Sequence, residues 1–130
     1  MATLHQIQAR LKELGLQNDY GYRRETRLLP NVLEADEQLL AVTSGVLNGM
    51  RRLVVLTERR LLFVSKPTMG EPRLFAVPRE DLVAVRGSKG LVFGSLSFET
   101  ADGTYRLDNV LKKSMAQFAP GMGLPGASNT

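Results

Sequence analysis

Cysteine is absent from the 130 residues, which removes disulfides, thiolate metal sites and cysteine nucleophiles at once. Histidine occurs once, as His5, so a histidine-based metal cluster cannot be built. A Ser-His-Asp relay would depend on that single residue, and no Gly-x-Ser-x-Gly elbow accompanies it. A phosphate-binding Gly-x-x-x-x-Gly-Lys loop is missing as well. Tryptophan is absent and aromatics are 6%, a thin supply for stacking on nucleic-acid bases. No apolar run approaches the ~20 residues of a membrane-spanning helix. The N-terminus also lacks the basic-then-apolar pattern of a signal peptide. The expected location is the cytoplasm, with or without peripheral association with a membrane. No cofactor, metal or small-molecule substrate is expected, and the chain does not read as an enzyme.

Present instead is the ordinary composition of a folded domain, 43% hydrophobic and 23% charged residues, in a length suited to one core. The net charge of +4 is unevenly spread. Residues 28–50 carry only acids, Glu34, Asp36 and Glu37, whereas residues 51–113 hold twelve basic and seven acidic side chains. The acid pairs Asp36-Glu37 and Glu80-Asp81 sit at element boundaries and read as turn residues.

Thr3, then Leu4, Ile7, Leu11 and Leu14 at helical spacing, and finally Gly15 mark an amphipathic helix. Thr3 and Gln6 suit a reciprocal N-terminal cap, and Gly15 a left-handed C-terminal residue. Such a short helix is marginal alone, so its leucine stripe must dock, either on the outer face of the sheet or on a partner. Residues 17–24 read as a polar linker. A helical pattern follows over residues 25–33, broken into short turns by Pro30. Strands are predicted at residues 38–47, 50–57, 60–66, 73–77, 82–86, 91–99 and 104–107. Asn48-Gly49 and Asp102-Gly103 are hairpin turns because both positions favour positive φ. The runs LVVL at 53–56 and LLFV at 61–64 do not alternate, so the hairpin they form must be covered on both faces. A final helix, capped by Asp108 or Asn109, would turn Leu111, Met115 and Phe118 inward. Three parts are expected: an N-terminal helix and linker over residues 1–27, a β-rich domain over 28–119, and a disordered Gly/Pro-rich tail over 120–130.

Seven antiparallel strands in hairpin order, closed by a C-terminal helix, form the element order of a pleckstrin-homology-like (PH-like) barrel. The segments LVVLT at 53–57, RLLF at 60–63, the crossover from Val77-Pro78 to Asp81-Leu82, and GLVFG at 90–94 resemble the bacterial PH-like family of the YokE-like type. So does the acidic element ending at Glu37. The resemblance spans residues 28–118 and implies a mainly β fold with α and a binding or assembly module without established chemistry.

Two functional readings follow. The first is protein interaction or self-assembly, through Leu4, Ile7, Leu11 and Leu14 on the helix and through Leu91 and Phe93, which point outward and need a cover. The N-terminal helix could be that cover. The second is binding of an anionic surface, acidic lipid or nucleic acid, by Arg51, Arg52, Lys66 and Arg73 near the first hairpin. The two-residue connection at Asn48-Gly49 is too short to wrap an inositide headgroup.

Overall fold

The computed structural model describes residues 3–21, 23–66, 70–115, 117–118 and 128–129. Helix α1 (Leu4–Glu13) starts at the expected capping box: the Gln6 amide donates to Thr3 Oγ1 (3.1 Å) and the Thr3 amide to Gln6 Oε1 (2.9 Å). It stops where Gly15 turns left-handed, φ 75°, and Leu16 N–H reaches back to the Leu11 carbonyl. The expected linker contains a further turn of helix, α2 (Gln17–Tyr20), because Tyr20 is buried. A 3-10 helix containing Pro30 follows at Thr26–Asn31.

Strands β1 (Leu39–Leu47), β2 (Met50–Thr57), β3 (Arg60–Ser65), β4 (Arg73–Pro78), β5 (Leu82–Lys89), β6 (Phe93–Thr100) and β7 (Gly103–Leu111) pair antiparallel in the order 4-3-2-1-7-6-5. Asn48 and Gly49, at φ 52° and 76°, make the predicted two-residue turn between β1 and β2. A two-residue strand β8 (Ser128–Asn129) adds parallel to β5 at Arg86 and Gly87. The rest of the expected tail, beyond residue 118, lies outside the described residues.

Three expectations are corrected. The sheet is not a closed barrel, since β4 pairs only with β3 among the described residues. The 3-10 turn Arg79–Asp81 explains why. Its first amide bonds the Arg59 carbonyl and its last carbonyl accepts from Ala101, so the chain crosses to the other half of the sheet instead of folding back beside β4. Second, β5 continues through the expected loop at Gly87 to Lys89, and the hairpin tip falls at Gly90–Val92, so that Leu91 and Val92, the first two residues of the expected sixth strand, lie in the turn. Third, Asp108 and Asn109 do not cap a helix. They form a bulge in β7, with Asn109 at φ 57°, and pairing resumes at Val110 and Leu111. Helix α3 is correspondingly short, Lys112–Met115.

Alternation along β2 and β3 divides the core into two layers. Val54, Leu56, Leu61 and Phe63 enter the inner layer with Leu96, Phe98, Leu107, Met115 and Phe118. Leu53, Val55, Leu62 and Val64 face outward and are buried by Ile7, Leu11, Leu16, Tyr20, Leu29 and Leu33. Both faces of the hairpin are therefore covered, as its unbroken apolar runs require, and the outer cover is the chain's own N-terminal segment. Phe63 stacks on Phe75 (centroids 4.5 Å) and meets Phe98 edge-on (5.9 Å). Gly45 lets β1 approach β7: a Cβ there would lie 2.5 Å from Leu107 Cγ and 2.6 Å from the Asp108 carbonyl.

One corner is polar. Glu37, read from the sequence as a turn residue, has its side chain fully buried and takes Arg60 Nε and Nη2 at 2.9 Å each and Thr57 Oγ1 at 2.7 Å. The Glu34 amide adds a bond at 3.1 Å. Burial pushes the carboxyl's pKa up, but these hydrogen bonds and the Arg60 charge outweigh it and hold the value at about 2.

Phe63→Ala is expected to cost about 3–5 kcal/mol of stability, read as a lower urea midpoint; an unchanged midpoint would remove this hairpin from the core. The Glu37 carboxyl is depressed on folding from 4.5 to about 2. Its stabilisation is thus complete above pH 4.5 and lost as pH falls through about 2, on the order of 3 kcal/mol in all. Glu37→Gln should lower stability near neutral pH by about 2–4 kcal/mol and flatten the acid limb of a stability-versus-pH series. An acid limb as steep as wild type would show that other carboxylates carry it.

Candidate functional site

The four basic residues singled out from the sequence lie where β2, β3 and β4 approach the β1–β2 turn, but they do not form one patch. Alternation places Arg51 and Lys66 on the outer side, with Leu53 and Val64. Arg52 and Arg73 go to the inner side, with Phe75. On the outer side, Arg51 Nη1 and Arg23 Nη1 both approach Ser44 Oγ (3.3 and 3.4 Å), and Arg24 Nη2 donates to the Lys66 carbonyl (2.9 Å). Arg23 and Arg24 thus join this edge. Sequence reasoning missed them because they sit in the segment read as linker, where only their adjacency marked them.

On the inner side the Arg52 guanidinium lies over the Phe75 ring, 5.5 Å from its centroid. Burial lowers its pKa, and so does the neighbouring positive charge of Arg73. Ser65 of β3 pairs with Arg73 of β4. Extending the β2–β3 register by one residue past Leu53–Val64 sets Arg52 opposite Ser65. Arg52, Ser65 and Arg73 therefore form one row across three strands.

The apolar candidates also separate. Ile7 and Leu11 are buried in the outer layer, Leu14 packs against it, and Leu4 is half-buried. The stripe covers β1–β3 and does not reach the β5–β6 hairpin. At that tip Leu91 is 97% exposed, Val92 63% and Phe93 48%. The turn is closed by Gly90 N–H on the Phe93 carbonyl (2.9 Å). The described cations flanking this hairpin are paired, Arg86 with Glu99 (2.7 Å) and Arg106 with Asp108 (3.0 Å). Val92 was not singled out from the sequence, where an apolar strand and an apolar tip look alike.

Among the described residues no three His, Asp or Glu side chains gather as a metal site. No described helix is long and apolar enough to cross a membrane. His5 is exposed on α1.

A seven-strand antiparallel sheet with N-terminal helices and a C-terminal helix is the PH-like fold, a class of binding modules that are generally non-catalytic. Residues 33–120 match the family described as Bacterial PH domain, and the chain belongs to that family. The match names the family and leaves the YokE-like subtype unconfirmed. Among solved structures, the pleckstrin homology domain from Shewanella amazonensis is similar at 22% identity and TM-score 0.43, over 65% of this chain and 77% of that one. A DUF1696 family protein with a pleckstrin-homology domain from Shewanella loihica is similar at 18% identity and TM-score 0.42, over 87% and 84%. No curated protein matches the chain.

Because Arg73 raises the cost of charging Arg52, Arg73→Gln in phosphate-free buffer should raise the thermal midpoint at low salt. The gain should vanish at about 0.5 M salt, where the Debye length falls to ~4–5 Å. A gain indifferent to salt would show that the two arginines do not repel.

Proposed function

We propose that this chain is a non-catalytic binding module that docks on protein, either a partner or a second copy, through the β5–β6 tip. The observation that carries the reading is the exposure of Leu91, Val92 and Phe93 together at the end of a hairpin. Three such side chains gain about 1.5–3 kcal/mol each when fully buried, enough for an apolar anchor inside a polar rim. The flanking ion pairs supply that rim: Arg86 and Arg106 are neutralised by Glu99 and Asp108. Among the described side chains the tip is bordered by paired charges, which suits a protein surface better than an acidic bilayer. The leucine stripe of α1 contributes little to docking, because Ile7 and Leu11 are spent within the chain.

The double variant Leu91→Glu, Phe93→Glu tests this. Exposed substitutions there should change the unfolding free energy by less than about 0.5 kcal/mol. The variant should lose both the partner recovered from a host lysate and any self-association seen by sedimentation. Wild-type docking should persist at about 0.5 M salt, because apolar burial is not screened. Docking that survives the tip variant but disappears on charge reversal of Arg51, Arg52, Lys66 and Arg73 would replace this reading with an anionic-surface role.

A further inference from the structure

We infer that the cleft between α1 and the segment entering β1 binds a small amphipathic carboxylate, a short aliphatic acid in its anionic form. The cleft measures about 380 Å³ and lies at the start of β1, the far end of that strand from the Asn48-Gly49 turn. Such a volume suits a ligand at the small end of the usual range. Ile7, Leu33 and Leu39 form an apolar floor. Gln6 and Arg10 make the wall on the helix side, four positions apart and so on one face of α1. Residues 35–38 make the opposite wall.

Both helix side chains are anchored and still have donors to spare. Gln6 Oε1 accepts from the Thr3 amide (2.9 Å) in the capping box, and its Nε2 has no partner among the described residues. Arg10 donates through Nε to the Leu39 carbonyl (2.8 Å) and through Nη1 to Glu13 (3.1 Å), which leaves Nη2. Side chains already held in place lose less freedom on binding. The acids that line the cleft do not compete for these donors: Asp36 pairs with Arg59 at 2.7 Å, and Glu37 is taken up by Arg60 and Thr57. Glu13 does compete, but its side chain is 65% exposed, and a surface pair of that kind gives way at little cost. One cation with a planar fork, beside an amide donor, matches a carboxylate. A dianion would bring a second charge beside Asp36 and Glu37 with no cation to meet it. A cationic ligand would find only acids that are already paired. The apolar floor then selects for an aliphatic chain on the carboxylate.

The test titrates the full chain with sodium hexanoate, by calorimetry and by thermal midpoint, with acetate and hexanol as references. Saturable binding of hexanoate and a raised midpoint are expected, with an affinity about tenfold above either reference. Gln6→Glu separates binding from folding. A glutamate there still accepts from the Thr3 amide, so the capping box survives, and an acid in the first turn suits the helix dipole. The variant should fold as wild type and bind hexanol unchanged, yet bind hexanoate about tenfold more weakly, because a donor has become a negative charge. Lys12→Gln, on the same helix but outside the cleft, should bind hexanoate as wild type. Absence of saturable hexanoate binding would overturn the site, as would undiminished binding in Gln6→Glu. Equal loss in Lys12→Gln would reduce it to diffuse charge attraction. Loss in the Leu91→Glu, Phe93→Glu variant, with Gln6→Glu unaffected, would move the ligand to the tip and overturn the site as well.

Discussion

The carboxylate of Glu37 holds together parts of the chain that no ladder connects. Its oxygens receive Arg60 and Thr57 from the β2–β3 turn and the Glu34 amide from the segment entering β1. Arg60 also donates to the Val32 carbonyl at 2.7 Å, which ties the 3-10 helix to the same point. Thr57 Oγ1 in turn accepts the Arg59 and Arg60 amides, and the Thr57 carbonyl accepts Arg79 Nη1 from the β4–β5 crossover. A buried pair of this kind contributes little net stability against an apolar replacement, and its value lies in fixing geometry. Once the carboxylate is satisfied, the entry of β1, the hairpin turn and the crossover are all held at one corner of the sheet.

A second set of polar contacts fixes the opposite end of the covering segment. The Tyr20 hydroxyl meets Ser114 Oγ at 3.2 Å, Ser114 meets Thr43 Oγ1 at 2.7 Å, and Gln117 Nε2 donates to the Leu14 carbonyl. Lys113 pairs with Asp19 on the surface beside them. The N-terminal helices are thus bound to the C-terminal helix as well as to the sheet. The family match begins at residue 33, so the elements that bury the outer layer lie before it and belong to the same packed unit.

The sequence made local features legible. The Thr3–Gln6 cap, the Asn48-Gly49 turn and the two-sided burial of residues 53–64 each depend on residues within a few positions, and each appears in the structure. Element ends were harder to place. Leu91 and Val92 have strand-like side chains but occupy a tip, and Asn109 has a cap-like side chain but sits in a left-handed bulge. The β5–β6 register sets the first and the β6–β7 register the second, and each overrides local preference. Closure was illegible because hairpin order says nothing about whether the first and last edges meet. Glu37 was overlooked for a related reason: its partners Thr57 and Arg60 lie 20 and 23 residues away, and only the fold brings them together. Likewise the four candidate basic residues were correctly located at one end, yet strand alternation splits them between two faces.

The free edge at β4 has a meaning for the molecule's behaviour in a crowded solution. Pro72 precedes this strand and Pro78 ends it, and its first residue is the exposed Arg73. Proline offers no amide to an incoming strand, and a charged side chain at the border discourages a neutral one. An intruding chain therefore finds a docking rail only a few residues long, too short to seed a ladder that grows from molecule to molecule. The sheet can remain open without becoming the template for its own aggregation.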